Sequence, residues 1–236
     1  MSNKIYYLSS EVDPFSNTYS LSEFSKKVCQ RLHDIDDFDI RLNQPKYGYI
    51  SERKYILREV IRLKDMLIDF SSSQESVNLK SAFIPNTRVQ IYFTESEEYF
   101  KPVADLLYKS KNGRVYKDND FKFAYFCKVA LESIKRLFWQ PDIIVCNDWQ
   151  TAFLPRLLKE NYHQNDFYKD IKTVFVLHSI DDNRIVIVPK DNQNNPDQTL
   201  KVSKELYSEG VKIIIGPIFK KNSTKLNQLE NDLIFL

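Results

Sequence analysis

Polar and aromatic side chains follow two strongly apolar segments of the chain, and their types are suited to binding hydroxyl groups. His178 comes directly after residues 172–177, and Asp148 and Trp149 come shortly after residues 142–146. An imidazole can hydrogen-bond a hydroxyl group at neutral pH, a carboxylate can accept from two hydroxyl groups, and an indole offers a stacking face. The alternatives are a surface histidine at a strand end, an Asp148 that caps the next helix and a Trp149 that packs in the core.

Three further residues have side chains that could contact a ligand. Glu11 follows two serines near the start of the chain, where it could bind a ligand or cap a helix. Tyr116 and Asn119 belong to the YKDN motif in a long polar connection at 95–120. Because connections of this length are usually functional or flexible, these two residues either line a site or belong to a solvated loop.

Composition excludes several classes of binding site. The chain has only four glycines, Gly48, Gly113, Gly210 and Gly216, which are too far apart to form a dinucleotide fingerprint or a P-loop. The formal net charge of +2 gives no electrostatic reason to expect a nucleic-acid or membrane partner. No cofactor is therefore predicted, and no nucleic acid or membrane is expected as a partner.

Cysteine usage and hydropathy indicate a cytoplasmic protein. The three cysteines, Cys29, Cys127 and Cys146, are odd in number and far apart, which favours reduced thiols over a disulfide framework or a zinc site. The first ten residues hold too short an apolar run for a signal peptide. No segment approaches the roughly 20 apolar residues of a membrane span. We expect no bound metal.

Apolar periodicity predicts strands and helices that alternate along the chain, which indicates an α/β fold with a doubly wound, mostly parallel, Rossmann-like sheet. The predicted strands lie at 4–9, 38–42, 88–94, 142–146 and 172–177, and the predicted helices at 21–32, 121–138 and 150–160. Either Asp118 or Asp120 is expected to cap the helix at 121–138. Residues 52–70 fit either helix or strand, and residues 71–76 are predicted to be a loop.

The character of the sequence changes near residue 180. A predicted strand at 184–188, a helix at 197–209 and a strand at 211–215 form one extra βαβ unit after a polar turn. We therefore predict two parts, residues 1–180 and residues 181–236, the second of which could be a fusion.

Four segments resemble the amino-terminal domain of bacterial glycogen synthases and plant starch synthases. They are YYLSSEVDPFSNTYSLSEF at 6–24, VQIYFTESEEYF at 89–100, the segment from GRVYKDND through PDIIVCNDWQTAFLPRLLK at 113–159, and KTVFVLHS at 172–179. Their order and spacing over residues 4–179 carry the resemblance. PKYGYISERKYILREVIRL at 45–63 is also similar to this family.

The resemblance implies the amino-terminal half of a GT-B glycosyltransferase. Such enzymes transfer glucose from ADP-glucose or UDP-glucose to an α-1,4-glucan, with retention and without a metal. In this family the amino-terminal domain supplies mainly acceptor contacts, while the carboxy-terminal domain holds most of the donor phosphate contacts. The implied partners are a nucleotide-sugar, an α-glucan and a separately encoded carboxy-terminal domain.

Individual roles are also carried over by the resemblance. His178 corresponds to a histidine that lies against the donor glucose, and Tyr116 and Asn119 correspond to acceptor-side residues. The family's phosphate-binding lysine aligns with Asn17 and its aspartate with Glu23. Tyr19 and Ser20 replace two glycines, and Asn147 replaces a histidine. Without the cation and the glycines, the opening loop is expected to be structural.

Two other functions remain open at this point. The chain could be a non-catalytic remnant that binds a glucan or a nucleotide. It could also be a chimeric ligand-binding module, because residues from about 183 are similar to an early segment of periplasmic ligand-binding-type proteins. On either interpretation, and also as half of an enzyme, the isolated chain is expected to show no turnover.

Overall fold

Ten strands are present in the computed structural model, which describes residues 3–35, 38–102, 106–178 and 212–215. They are β1 (Asn3–Leu8), β2 (Phe38–Pro45), β3 (Arg58–Glu59), β4 (Met66–Phe70), β5 (Ser73–Val77), β6 (Leu79–Phe83), β7 (Gln90–Thr94), β8 (Ile143–Asn147), β9 (Lys172–Leu177) and β10 (Lys212–Ile215). Eight of them form one sheet, and β4 and β5 form a separate hairpin.

The strand order of the main sheet is β10-β9-β8-β1-β2-β7-β6-β3. Neighbouring strands are parallel from β10 through β7, and the β7–β6 and β6–β3 pairs are antiparallel. The chain builds the sheet outward from β1, first through β2 and β7 and then on the other side through β8, β9 and β10. This order is that of the predicted doubly wound sheet, and its switch point lies between β1 and β8.

Helices cover both faces of this sheet. They are α1 (Ser20–His33), α2 (Glu52–Tyr55), α3 (Asn119–Arg136) and α4 (Phe153–Leu157), the last continuing as a π-helical turn to Tyr162. Tyr7 contacts Ser25 of α1, whereas its neighbour Tyr6 contacts Ser133 of α3. Because successive strand residues point to opposite faces, α1 and α3 lie on opposite faces of the sheet. The helices predicted at 21–32 and 121–138 are confirmed.

The hairpin of β4 and β5 differs from the sequence prediction. The loop predicted at 71–76 is wrong, because Ser73–Val77 is a strand paired with Met66–Phe70. Phe70 at the end of β4 packs its ring against Phe121 and Tyr125 of α3, with ring centroids 4.7 and 5.2 Å apart. The serine-rich sequence conceals this strand because packing on α3, rather than local propensity, stabilises it.

The helix α3 begins slightly before its predicted start. Asp118 occupies the N-cap position, but its carboxylate makes no capping hydrogen bond. It lies instead 2.9 Å from the ammonium group of Lys122. The connection that leads to α3 has no helix or sheet strand in its described residues, as predicted, but it is anchored by buried aromatic side chains such as Tyr99, Phe100 and Tyr108.

The predicted unit after residue 180 is described only in part. The strand expected at 211–215 corresponds to β10, which extends the sheet in parallel beside β9. The strand predicted at 184–188 and the helix predicted at 197–209 lie outside the described residues. A division of the chain at residues 180 and 181 stays a prediction. Among the described helices, none is long and apolar enough to cross a membrane.

Candidate functional site

The carboxyl edge of the parallel sheet brings the predicted site residues of three strands together. Glu11 follows β1, Asp148 and Trp149 follow β8, and His178 follows β9, with β1, β8 and β9 adjacent in the sheet. The switch point between β1 and β8 lies at the centre of this group. Ligands of open α/β sheets bind at this position, because the loops after the strands diverge there and leave a crevice.

His178 is buried at this edge and is held by contacts from two elements. Its Nε2 atom lies 3.0 Å from the side-chain oxygen of Asn147, and only 2% of the residue is exposed. The edge of the Phe24 ring on α1 packs against the imidazole, with centroids 4.7 Å apart and planes at 72°. This hydrogen bond and this aromatic contact both hold the ring in its orientation.

Asp148 has a backbone conformation that L-residues rarely adopt. Its φ is 59° and its ψ is 179°, in a region populated almost only by glycine. Strand β9 and the following turn hold it in place, since its amide donates to the Val176 carbonyl at 2.8 Å and its carbonyl accepts from the Thr151 amide at 3.1 Å. Such conformations concentrate at functional sites, and this one lies at the switch point.

Trp149 packs in the interior of the protein. Its indole contacts the rings of Tyr108 and Phe123 edge-to-face, at centroid distances of 5.3 and 5.2 Å, and 2% of the residue is exposed. These contacts agree with the alternative in which Trp149 is a core residue. A stacking role toward a ligand stays a prediction.

Glu11 caps the amino-terminal end of α1. Its two carboxylate oxygens accept from the amides of Thr18 and Tyr19, at 2.7 and 3.0 Å, and the residue is fully buried. A carboxylate at this position also interacts favourably with the helix dipole. The capping alternative therefore describes these contacts, and they hold the opening loop against the sheet edge.

The opening loop is braced by its own polar side chains. Asn17 donates to Asp13 at 3.0 Å and accepts from the Ser22 hydroxyl at 2.8 Å. The ammonium group of Lys26 lies 2.6 Å from the second Asp13 oxygen. Glu23 lies apart from this group on the solvent side of α1, where its side chain is 61% exposed and pairs with Lys27.

Tyr116 and Asn119 lie on the α3 side of the same edge. Asn119 donates to the Tyr108 carbonyl at 2.7 Å, so it is connected through Tyr108 to Trp149. Tyr116 is half-buried, and its ring lies 5.2 Å from the ammonium group of Lys122. The structure thus joins Asn119 to the Trp149 region, while Tyr116 lies beside the start of α3.

Buried polar atoms with no hydrogen-bond partner among the described residues are concentrated at this edge. Most buried polar groups in proteins are hydrogen-bonded, so such a concentration indicates a place where water, a ligand or another domain completes the bonding. Among them are side-chain atoms of Ser10, Ser16, Gln44, Asn119, Trp149 and Gln150. The sequence analysis did not single out Gln44. It could have been found because it is a polar residue at a strand position where the alternation of β2 predicts a buried apolar one.

The described part of the chain contains no group of three or more His, Cys, Asp or Glu side chains that could hold a metal ion. Burial raises the pKa of the Tyr7 phenol, at the end of β1, well above its usual value. This phenol is therefore neutral and donates a hydrogen bond to the side-chain oxygen of Asn147 at 3.0 Å.

The chain is similar to glycogen synthases and to a starch synthase of known structure. It is 38% identical over 177 residues to the glycogen synthases of Pelodictyon phaeoclathratiforme and Chlorobium limicola, covering 75% of this chain and 36% of each relative. It thus spans about a third of their length. The catalytic domain of starch synthase IV from Arabidopsis thaliana, bound to ADP and acarbose, matches 76% of this chain and 34% of that one, with a TM-score of 0.64 and 20% identity.

The structural match confirms the α/β fold predicted from the sequence. The model of one protein family, described as the starch synthase catalytic domain, matches residues 4–210. This range contains all of β1 except its first residue, every strand from β2 to β9 and all the candidate site residues. The chain therefore belongs to the starch synthase catalytic domain family.

Proposed function

We propose that the chain is a glucosyltransferase domain of the glycogen and starch synthase type. In this proposal it contributes to the transfer of glucose from ADP-glucose to an α-1,4-glucan, together with a carboxy-terminal GT-B domain from the same or a separate polypeptide. The observation that carries the proposal is that His178 and Asp148 lie together at the switch point of the sheet, in a chain that belongs to the starch synthase catalytic domain family.

The chemistry of the edge supports a sugar ligand. A fixed imidazole and a carboxylate can hydrogen-bond several hydroxyl groups at once, and each such bond is specific in direction. The partnerless polar atoms of Ser10, Gln44 and Gln150 would gain partners from hydroxyl groups or ordered water. In this proposal His178 is the catalytic residue that contacts the donor glucose, and Asp148 binds sugar hydroxyl groups.

The opening loop supports a second candidate, a domain that binds a glucan without catalysis. The described loop has Asn17 where the resemblance expects a phosphate-binding lysine, and the nearby Lys26 is paired with Asp13. The ring of Tyr19 stacks on Tyr108, with centroids 5.1 Å apart, at a position where the resemblance expects glycine. A diphosphate in this loop would therefore lack the family's lysine, although the ammonium group of Lys109 lies nearby, 5.6 Å from the Tyr19 ring.

A transfer assay with and without an added carboxy-terminal GT-B domain separates these candidates, because only the first predicts turnover when that domain is present. We expect the isolated chain to incorporate no glucose from ADP-glucose into glycogen, and we expect glycogen-affinity resin to retain it. The variant Asp148→Ala should weaken retention, whereas His163→Ala, at an exposed histidine outside the edge, should not. Robust turnover by the isolated chain that is lost in His178→Ala would instead establish complete catalytic activity. Neither turnover nor retention would contradict both candidates and favour the chimeric ligand-binding alternative.

A cytoplasmic location belongs to the same proposal. The three cysteines are free and buried, and burial raises the pKa of the Cys29 and Cys146 thiols well above the usual value. Neutral, inaccessible thiols of this kind are typical of proteins from reducing compartments.

A further inference from the structure

A chain of hydrogen bonds connects three strands at the carboxyl edge and ends at His178. The Tyr7 hydroxyl of β1 donates to Asn147 Oδ1 at 3.0 Å, and the same oxygen lies 3.0 Å from His178 Nε2. Asn147 and Tyr7 are fully buried. The contacts join residues far apart in sequence, so they form only when β1, β8 and β9 lie side by side.

The orientation of the Asn147 amide is fixed by a third contact. Its Nδ2 atom donates to the main-chain carbonyl of Leu8 at 2.8 Å. A carbonyl oxygen can only accept, so the nitrogen of the amide must face Leu8 and the oxygen must face Tyr7 and His178. The reversed amide would place its own oxygen against the Leu8 carbonyl oxygen. Its nitrogen would then face Tyr7 and His178, which would both lose their acceptor.

This orientation determines which imidazole nitrogen carries the proton. An amide oxygen has no proton to give, so the His178 Nε2 atom must be the donor. In the neutral ring Nδ1 then carries the lone pair and is the acceptor. The Tyr7 hydroxyl donates to the same oxygen and is backed by Ser25, whose Oγ lies 3.4 Å from it. Ser25 in turn donates to Ser9 Oγ at 3.0 Å.

We propose that Asn147, oriented by Leu8 and supported by Tyr7, is a positioning residue that holds His178 in the Nε2–H tautomer, so that Nδ1 accepts a hydrogen bond from a ligand hydroxyl. The tautomer follows from the geometry alone, whereas the hydroxyl-bearing ligand rests on the proposed function. Phe24 packs against the imidazole and limits the rotation of that ring. This amide acceptor stands where the resemblance expects a histidine.

The experiment observes the imidazole proton of His178 by NMR in the full-length, nitrogen-15-labelled protein. Imidazole protons of exposed histidines exchange too fast to be seen, so a buried, hydrogen-bonded one gives a distinct signal. We expect a protected proton attached to Nε2 of His178. In Asn147→Ala this proton should exchange about tenfold faster, the factor expected for one lost hydrogen bond of ordinary strength. In Asn147→Asp it should move downfield because a charged acceptor strengthens the bond.

Two variants keep the test decisive. Tyr7→Phe leaves the Asn147 oxygen facing His178, so the Nε2–H signal should persist. If Asn147→Ala does not fold, the wild-type assignment and Asn147→Asp still decide the matter. A protected proton on Nδ1 in the wild type, or an unchanged Nε2–H proton in Asn147→Ala, overturns the proposal.

Adding ligand distinguishes this proposal from the proposed function. ADP-glucose and maltotetraose are the probes, and binding of either one through Nδ1 should shift the nitrogen-15 resonance of that atom. If the Nε2–H proton behaves as expected but neither probe shifts Nδ1, the tautomer stands and the sugar ligand is wrong. If a probe shifts Nδ1 while the proton lies elsewhere, the positioning role of Asn147 is wrong and sugar binding stands.

Discussion

At the residue scale, the backbone of Asp148 is the clearest departure from ordinary protein geometry at the sheet edge. Its φ of 59° and ψ of 179° disfavour every residue except glycine, yet the chain has an acidic side chain there. A glycine at this position would relieve the conformation but could not hydrogen-bond a ligand. The ligand contact proposed above gives an acidic side chain a role at this position.

The two contributions can be separated by comparing two variants of Asp148. Asp148→Gly and Asp148→Ala both remove the carboxylate, but only glycine relieves the strained backbone. We expect Asp148→Gly to be more stable than Asp148→Ala by about 1–2 kcal/mol in urea unfolding, while both lose retention on glycogen. Equal stability of the two variants would contradict the backbone argument, and full retention by either would contradict the ligand contact.

At the element scale, the carboxyl end of α3 has a similar conflict between residue and backbone. Phe138 follows the last residues of the helix and has a φ of 53°. Its amide donates to the Lys135 carbonyl, and the Trp139 amide donates to the Ile134 carbonyl. These two bonds form a Schellman motif, whose left-handed position is usually a glycine. Phe138 is 81% exposed, and its ring lies 5.3 Å from the Arg62 guanidinium group.

Replacing Phe138 by glycine should therefore stabilise the protein. We expect the free energy of unfolding of Phe138→Gly to rise by about 0.5–1 kcal/mol, because relief of the left-handed backbone exceeds the loss of one exposed cation–π contact. Thermal and urea unfolding measure the change. Phe138→Ala removes the same ring contact without relieving the backbone and is the matched control, and a destabilised Phe138→Gly would show that this contact dominates.

A second feature at this scale is a square of two lysines and two glutamates that ties α2 to the sheet. Lys46 and Lys80 each lie between Glu52 and Glu95, with the four nitrogen–oxygen distances between 2.6 and 3.4 Å. Hydrogen bonds from Lys46 and then Lys80 lower the pKa of the Glu52 carboxyl below its usual 4.5. A lowered pKa in the folded state means that the ionised form stabilises the fold.

The stability of Glu52→Gln should consequently depend on pH. Above pH 4.5 the wild type has the full benefit of the ionised carboxylate, and we expect it to exceed the variant by up to about 1 kcal/mol, since Glu52 is partly exposed. As pH falls below 4.5 and through the lowered pKa, the difference should close. Urea unfolding across this range measures it, with Glu160→Gln, which removes a single exposed pair, as the control. A difference independent of pH would contradict this assignment.

At the scale of the whole molecule, the sheet joins the two parts into which the sequence suggests dividing the chain. β10 pairs in parallel with β9 over four residues, from Lys212 opposite Val174 to Ile215 opposite Leu177. β9 is strongly apolar, and Val174, Phe175 and Val176 are buried. Without β10, β9 would become an exposed edge strand, which is a common site of self-association.

A truncation after residue 180 tests how far the parts depend on each other. We expect the 1–180 fragment to unfold at a lower urea concentration than the full chain and to self-associate in sedimentation, because the edge of β9 is uncovered. A fragment that ends at residue 215 keeps β10 and is the matched control. If the 1–180 fragment were monomeric and as stable as the full chain, the later residues would be an independent unit, as expected of a fusion.

Much of the fold and part of the site could be predicted from local patterns in the sequence. β1, β8 and β9 were predicted because their apolar runs are continuous, and α1 and α3 because their apolar residues recur at helical spacing. His178 and Asp148 were singled out because polar residues directly after buried strands collect at one edge of a parallel sheet. The hairpin of β4 and β5 was missed because its serine-rich strand depends on packing against α3.

The amino-acid sequence by itself determined the alternation of strands and helices, the polar residues at the strand ends and the family resemblance. The tertiary structure alone decided that Glu11 caps α1, that Trp149 packs in the core and that Asn147 contacts His178 across 31 positions. Periodicity is local, because it reflects only which face of one element is apolar. Hydrogen-bond partners at a sheet edge are chosen by the order in which strands lie side by side, and that order depends on contacts between distant parts of the chain.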